Sequence, residues 1–198
     1  MRRLEFWYDF ASTYSYLAAT RIEALAAAGS VEVIWRPFLL GPIFRAQGWE
    51  TSPFKLYPAK GRYMIRDVTR RAAARGKDFH MPLHWPASSV KAARMALVGA
   101  NEGWIAAFTR EVFEAEFEAG RDIADDAALG DVCGRLGLDF ARLSSLVAGG
   151  DIKSALKAQT GRAQSLGIFG APSFVAEDGE VFWGDDRLEQ ALAWPRAL

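Results

Sequence analysis

The chain has 198 residues, of which 51% are hydrophobic and 24% are charged. This composition is ordinary for a globular protein and provides enough apolar surface for a sizeable core. The 24 basic and 24 acidic residues cancel, so electrostatic attraction to nucleic acid or to an anionic membrane has no visible source. No apolar run approaches the ~18 residues of a membrane span, and we expect a cytoplasmic protein whose partner is a small molecule or another protein.

The first part of the chain predicts a strand, a helix and a second strand. Leu4, Phe6 and Tyr8 alternate with the intervening residues, which is the periodicity of a strand. The stretch "SYLAATRIEALAAAG" then carries an apolar stripe at helical spacing that ends at Gly29. The β-branched run "VEVIWRP" follows. Short connections between such elements predict a parallel β-α-β unit.

The end of the chain predicts a hairpin and a helix. The stretch "APSFVAEDGEVFWG" contains two short strands around the turn "EDG", and the helical "DRLEQALAW" comes next. Pro172 opens the first of these strands, where its missing N–H costs least. Asp186 and Glu189 have the spacing of a capping box, so we expect Asp186 to cap the last helix.

The middle of the chain predicts an insertion. Helical stripes occur near residues 90–97 and 105–112, and further helices are expected near 125–136 and 139–148. Before them, "GPIFRAQGWETSPFKLYPAKGRYM" lacks steady periodicity and predicts a long irregular loop. We therefore expect an α/β fold in which residues 1–42 and 151–198 form a split thioredoxin-like domain, with residues 43–150 as an irregular loop plus an α-helical insertion.

The chemistry of the single cysteine, Cys133, is restricted. Leu129, Val132, Cys133 and Leu136 share one helical face, so we interpret the thiol as a small buried hydrophobe. One cysteine excludes a disulfide scaffold, a Cys-based zinc site and an intramolecular dithiol pair.

Two serines stand at the predicted junction between the first strand and the first helix. Ser12 and Ser15 have the spacing of a Cys-x-x-Cys redox pair, but neither is a thiol. Ser12 suits the N-cap position, a role worth about 1 kcal/mol that explains it without any chemistry. The same position would also let a hydroxyl and unpaired N–H groups stabilise a ligand thiolate. For Ser15 we expect a structural role.

A serine hydrolase or a metal site has little support in the sequence. The only histidines, His80 and His84, lie in "KDFHMPLHWP", and the chain has no G-x-S-x-G motif. A four-residue spacing suits a metal on a helix, but Pro82 between the two histidines makes a helix unfavourable. We expect the histidines to be structural or to line a pocket.

Four segments, "YDFASTYSYLA", "WRPFLLGPIF", "PAKGRYMIRD" and "GIFGAPSFVAEDGEVFWGDDRL", together resemble the 2-hydroxychromene-2-carboxylate isomerases and kappa-class glutathione transferases. These are glutathione-dependent proteins with a DsbA-like thioredoxin fold. The segments occur in the family's order between residues 8 and 188. The resemblance implies glutathione as cofactor, a small aromatic carboxylate as substrate, and a homodimer.

The resemblance also implies the roles of particular residues. Ser12 would take the place of the first redox cysteine and stabilise the thiolate of bound glutathione. Pro172 would be the cis-proline beside the site, and the backbone of Ala171 would pair with the glutathione peptide as a β-strand does. Asp186 and Arg187 would hold the charged γ-glutamyl end.

Lys60 would face the glycyl carboxylate or a substrate carboxylate.

The chain departs from the family pattern at three positions. Thr13 replaces the usual proline after Ser12, and Trp49 stands near a usual asparagine, where it is a candidate wall of the substrate pocket. Asp185 replaces the usual serine before the Asp-Arg pair, and an acid there is expected to repel the γ-glutamyl carboxylate.

Three functions remain open from the sequence. The leading hypothesis is a glutathione-dependent isomerase of 2-hydroxychromene-2-carboxylate or a related intermediate of aromatic degradation. A kappa-like glutathione transferase would use the same Ser12 and differ only in the fate of the substrate. The third is a thioredoxin-fold binding module without catalysis, in which Ser12 is only an N-cap.

Overall fold

A four-stranded mixed sheet forms the centre of the computed structural model, which describes residues 1–195. The strand order is β2-β1-β3-β4. β1 (Arg2–Tyr8) is parallel to β2 (Val31–Pro37) and antiparallel to β3 (Ser173–Ala176), and β3 is antiparallel to β4 (Val181–Trp183). The predicted β-α-β unit and the predicted hairpin are both confirmed. The last three residues of the predicted segment 151–198 lie outside the described residues.

Helices fill two of the three connections between the strands, and the third is the β3–β4 hairpin. The first five are α1 (Thr13–Ala19), α2 (Ile22–Ala28), α3 (Leu40–Ala46), α4 (Pro53–Leu56) and α5 (Pro58–Ala73). They are followed by α6 (Val90–Glu102), α7 (Ile105–Phe117), α8 (Asp126–Arg135), α9 (Phe140–Ala148) and α10 (Gly150–Ser165). After β4, a 3₁₀ turn (Asp185–Arg187) leads into α11 (Leu188–Ala193). Within residues 1–195, no helix combines the length and the apolar character that crossing a bilayer requires.

The single helix predicted after β1 is wrong, because the chain breaks it into α1 and α2. The Thr20 hydroxyl donates to the Leu17 carbonyl at 2.8 Å, and the Arg21 N–H bonds Ala18 at 3.2 Å, three residues back rather than four. Side-chain bonds of this kind compete with the helical ladder. The break allows the Arg21 side chain to reach Asp185 on the 3₁₀ turn.

The long irregular loop predicted before the insertion is also wrong. Residues 40–73 are mostly helical, in α3, α4 and α5. The prolines of this segment indicated a loop, but Pro58 is the first residue of α5, the one helical position where a missing N–H carries no cost. The helices predicted from residue 90 to residue 148 are confirmed.

Both faces of β1 are buried at its carboxyl end. Leu4, Phe6 and Tyr8 point into the main core, which includes α1, α6 and α7, and the three side chains are at most 1% exposed. Trp7 points the other way, into a smaller cluster with Phe38 of the β2–α3 connection and residues of α3 and α10. The sheet therefore lies between two helical layers, and the carboxyl end of β1 is free to carry a site.

Cys133 lies in the main core, as the sequence predicts. Its side chain is 0% exposed on α8, and burial raises the pKa of the thiol. A protonated, enclosed thiol has neither the thiolate character nor the access that reactivity requires.

A buried carboxyl group lies near the C-terminal end of α7. Glu116 is 0% exposed, and neither of its carboxyl oxygens has a hydrogen-bond partner in the part of the chain that the structure describes. Burial, together with the carboxylates of Asp9 and Asp122, raises its pKa well above the usual range of a glutamate. The folded protein therefore favours the protonated form of Glu116.

This raised pKa predicts how stability depends on pH. A carboxyl with a raised folded pKa stabilises the fold below its unfolded pKa of about 4.3, and this contribution is lost as the pH rises towards the folded pKa. Glu116→Gln removes this titratable group. Above the unfolded pKa, the unfolding free energy of the variant should therefore rise relative to that of wild type by up to about 1.4 kcal/mol per pH unit. Urea unfolding at pH 5, 6.5 and 8 measures the gain. Glu114→Gln on the same helix, at a side chain 46% exposed, should run parallel to wild type, and parallel curves for both variants would contradict the prediction.

Candidate active site

A cavity of about 960 Å³ opens at the carboxyl end of β1. Its wall is formed by the β1–α1 connection and the start of α1, by α3, α4 and α5 with the segment between α3 and α4, by the residues before α6, and by the chain on both sides of the β3–β4 hairpin. Small-molecule sites usually measure about 300–1,000 Å³, so this cavity is large for one small ligand. It has room for a peptide the size of a tripeptide beside a second small molecule.

Ser12 forms the N-cap of α1 on the wall of this cavity, as the sequence predicts. Its Oγ accepts a hydrogen bond from the Ser15 N–H at 3.1 Å. The same hydroxyl donates its hydrogen to the Ala171 carbonyl, also at 3.1 Å. Ser12 thus connects the start of α1 to the chain that enters β3, two segments separated by 159 residues.

Asp9 fixes the turn that presents Ser12. One carboxylate oxygen accepts the Ala11 N–H at 3.0 Å, and the other accepts the Leu40 N–H at 2.7 Å. Burial raises the pKa of the Asp9 carboxyl, although hydrogen bonds from Leu40, the Ser89 hydroxyl and Ala11 partly offset the rise. The carboxylate ties the β1–α1 turn to the start of α3 and to the residue before α6.

The Ala171–Pro172 peptide bond lies opposite Ser12 and is cis. In the part of the chain that the structure describes, the N–H of Ala171 has no hydrogen-bond partner, and its carbonyl is bonded only by the Ser12 hydroxyl. Gly170 allows the close approach of the Trp183 ring, since a Cβ there would lie 2.5 Å from the indole nitrogen. The backbone edge of Ala171 therefore faces the cavity with one free donor and one acceptor.

Aromatic side chains form much of the remaining wall. The wall contains three neighbouring pairs: Phe44 with Trp49, Phe54 with Trp85, and Phe169 with Trp183, with ring centroids 5.7, 6.4 and 4.8 Å apart. Trp49 thus lines the cavity, as the sequence analysis expects. The Trp85 indole N–H donates to the Ala11 carbonyl at 3.0 Å, which joins this wall to the turn that carries Ser12.

The charged residues predicted for the site are only partly brought together. Lys60 and Asp186 line the cavity, and the Lys60 ammonium lies 6.0 Å from the centre of the Tyr57 ring. Arg187 is not among the residues that line it. Its guanidinium is half exposed and pairs with Asp186 at 3.1 Å.

Asp185 is placed differently from the sequence expectation. Its carboxylate is 0% exposed and bonded by three guanidinium groups: Arg21 at 3.2 Å, Arg71 at 3.0 Å and Arg75 at 2.9 Å. The negative charge that was expected to repel a ligand carboxylate is thus compensated by the protein. These four residues are called the Asp185 cluster below.

The predicted capping role of Asp186 is wrong. α11 begins at Leu188, Arg187 occupies its N-cap position, and no side chain caps it. The 3₁₀ turn (Asp185–Arg187) displaces the start of the helix, so Asp186 lies before the cap. Asp186 is therefore left for the cavity wall and for its pair with Arg187.

Of the remaining predicted residues, His80, His84 and Ser15 lie away from the cavity, whereas Thr13 lines it. His80 and His84 are both exposed and do not line it, so the histidine pair offers Ser12 no base. Ser15 is 0% exposed, and its hydroxyl has no partner among the described residues. Thr13, at the usual proline position, donates to the Met64 sulfur at 3.7 Å and so joins α1 to α5.

Sequence reasoning missed several residues of this wall. Asp9 had one available signal, since it follows a parallel strand at its carboxyl end, where ligand sites of α/β folds gather. Tyr14 and Asp67 are joined by a hydrogen bond of 3.0 Å across 53 residues, and Arg71 reaches Asp185 across 114 residues. No local pattern indicates contacts over such separations.

The chain is similar to known proteins along nearly its whole length. The family model of a DSBA-like thioredoxin domain matches residues 3–193. A 2-hydroxychromene-2-carboxylate isomerase of Sphingobium xenophagum is 28% identical over 191 residues, covering 95% of each chain. Glutathione S-transferase kappa 1 of Rattus norvegicus is 26% identical over an alignment of 202 residues that covers 95% of this chain and 88% of that protein.

A solved structure of a 2-hydroxychromene-2-carboxylate isomerase superposes with a TM-score of 0.86 at 24% identity, and the match covers 95% of this chain and 91% of that one. Together with the family model, this confirms the predicted thioredoxin-like fold.

Proposed function

The chain belongs to the DSBA-like thioredoxin domain family, and within it we propose a glutathione-dependent isomerase that acts on 2-hydroxychromene-2-carboxylate or a related intermediate of aromatic degradation. The similarity to isomerases of that name over 95% of the chain supports the proposal. The observation that carries it is the Ser12 hydroxyl, which lies at the wall of a large cavity beside the backbone edge of Ala171. A hydroxyl in place of a thiol implies that the sulfur comes from the ligand.

The residues around Ser12 fit glutathione. The free N–H of Ala171 and its carbonyl form a donor and acceptor pair of the kind that binds an extended peptide. When the Ser12 hydroxyl turns from this carbonyl towards a ligand sulfur, the carbonyl becomes free to accept a peptide N–H. One rotation of Oγ–H thus prepares both the sulfur site and the peptide site.

Bound glutathione would supply a thiolate that adds to a conjugated carbon of the substrate, allows rotation about the former double bond and departs unchanged. A free thiol has a pKa of about 8.5 and is mostly protonated at neutral pH. A hydrogen bond from Ser12 to the sulfur stabilises the charged form and lowers that pKa. Asp9 holds Ser12 in place, and the three aromatic pairs form an apolar wall for an aromatic substrate.

Lys60 and Asp186 complete the proposed site. The Lys60 ammonium is exposed on the cavity wall, where it can attract the glycyl carboxylate of glutathione or a substrate carboxylate. Asp186 also lines the cavity and would receive the γ-glutamyl ammonium group.

Calorimetric binding and turnover together test this function. Glutathione at a hundred times its dissociation constant should stabilise the protein by about 2.7 kcal/mol, seen as a raised melting temperature. With glutathione and 2-hydroxychromene-2-carboxylate, the protein should produce the absorption spectrum of the benzylidenepyruvate product. No stabilisation by millimolar glutathione would overturn the proposal, and stabilisation without turnover of any substrate would leave a binding module.

A kappa-like glutathione transferase is the second candidate, and the 26% identity to a kappa 1 transferase favours it. The same Ser12 and the same cavity would serve a reaction in which glutathione stays joined to an electrophile. Consumption of glutathione with an aryl halide, together with no isomerisation of the chromene carboxylate, would identify this activity.

A further inference from the structure

A continuous polar wall runs from Ser12 to the Asp185 cluster. Tyr14, two residues after Ser12, donates its phenol hydrogen to Asp67 at 3.0 Å. The Arg71 guanidinium lies 5.9 Å from the centre of the Tyr14 ring and bonds Asp185 at 3.0 Å. All five residues line the cavity. Arg71 is therefore a cavity-lining cation that contacts both Tyr14 of α1 and Asp185 of the 3₁₀ turn.

The Asp185 cluster orients Arg71 without using all of its donors. Arg71 donates a hydrogen bond from Nη1 to the Asp185 carboxylate, and its Nε lies 3.8 Å from the Asp67 carboxylate. Within residues 1–195, its Nη2 has no partner, and 30% of the side chain remains exposed. Arg21 and Arg75 complete the neutralisation of Asp185, so Arg71 can bind a second carboxylate.

Resting on the proposed use of glutathione, we propose that Arg71 binds the α-carboxylate of its γ-glutamyl residue and that Asp185 is the positioning residue for Arg71. The family resemblance assigns the γ-glutamyl end to Asp186 and Arg187, but Arg187 is outside the cavity wall and pairs with Asp186. The cavity-lining cation that contacts the 3₁₀ turn is instead Arg71. Its planar guanidinium matches the geometry of a carboxylate. The acid at position 185 is thus part of the binding site rather than an obstacle to it.

A titration with two ligands tests this assignment by binding rather than by turnover. The ligands are glutathione and the analogue in which the γ-glutamyl residue lacks its α-carboxylate, measured by calorimetry at pH 7. Arg71→Gln should weaken glutathione binding about 20-fold and leave the affinity for the analogue within twofold of wild type. Arg71→Lys keeps the charge but loses the planar fork, so it should weaken glutathione binding about fivefold. Asp185→Asn should give a loss of similar size that is also confined to glutathione.

Arg70→Gln is the matched control on the same helix, because the Arg70 side chain is 56% exposed and does not line the cavity. It should bind both ligands as wild type does. If wild type binds glutathione but Arg71→Gln and Arg71→Lys bind it equally well, or lose both ligands alike, the assignment of Arg71 is overturned while the proposed function stands. If wild type binds neither ligand, the proposed function is overturned together with the assignment.

Discussion

Replacing Ser12 with alanine should lower kcat/KM of the glutathione-dependent reaction by about 100-fold or more, the usual cost of removing one hydrogen-bond donor to a developing or resident anion in an active site. The variant should remain folded. It loses an N-cap worth about 1 kcal/mol, and the bond from Ser12 to the Ala171 carbonyl. Steady-state kinetics and urea unfolding separate the two effects.

The pH dependence gives the same variant a second test. The Ser12 hydrogen bond favours the charged sulfur, so its removal should raise the pKa of bound glutathione and move the acid limb of kcat/KM to higher pH. Ser15→Ala is the matched control, because Ser15 is buried without a hydroxyl partner among the described residues and does not line the cavity. It should keep wild-type turnover. Activity of Ser12→Ala within threefold of wild type, with an unmoved acid limb, would return Ser12 to a capping role alone.

Local patterns predicted the parts of the fold that local physics determines. The alternation in β1, the β-branched run of β2 and the turn of the β3–β4 hairpin each reflect burial or backbone geometry within a few residues. Ser12 was found because an N-cap is a local feature, and its site role was suggested by resemblance to a family.

Weak or misleading local signals account for the errors in the fold. The sequence predicts no helix over residues 150–165, because α10 buries only Leu156, Thr160 and Ala163, a stripe too sparse for a periodic signal. In residues 40–73, proline indicated a loop although it begins a helix at Pro58. Tertiary packing determines the secondary structure of both segments.

The candidate site was harder to predict than the fold, because its charges are arranged by contacts over long distances in sequence. The sequence predicts that Asp185 repels a ligand carboxylate, yet the partners of Asp185 come from α5, from the residues just after α5 and from the break between α1 and α2. No pattern within ten residues of Asp185 indicates that three distant arginines bind its carboxylate. Only the folded chain shows that one of two adjacent aspartates is buried and neutralised while the other is half exposed.

Asp185→Ala should therefore be among the most destabilising single changes in this protein, lowering the unfolding free energy by about 3 kcal/mol. The change leaves three guanidinium groups, at most 30% exposed, without the carboxylate that brings them together. Because these arginines come from α5, the residues just after it and the α1–α2 break, their repulsion should loosen α5 from the first helix. Denaturant unfolding measures the loss.

Asp186→Ala is the control for this prediction, since it removes the same group from the neighbouring residue. The Asp186 and Arg187 side chains are 50% and 52% exposed, and such pairs usually contribute less than about 0.5 kcal/mol. In 1 M salt the small effect of Asp186→Ala should vanish, because the screening length falls to about 3 Å, whereas the loss in Asp185→Ala should largely persist. Equal and salt-sensitive losses in the two variants would show that Asp185 is only a surface ion pair, and that the cavity wall near Arg71 is held by other contacts.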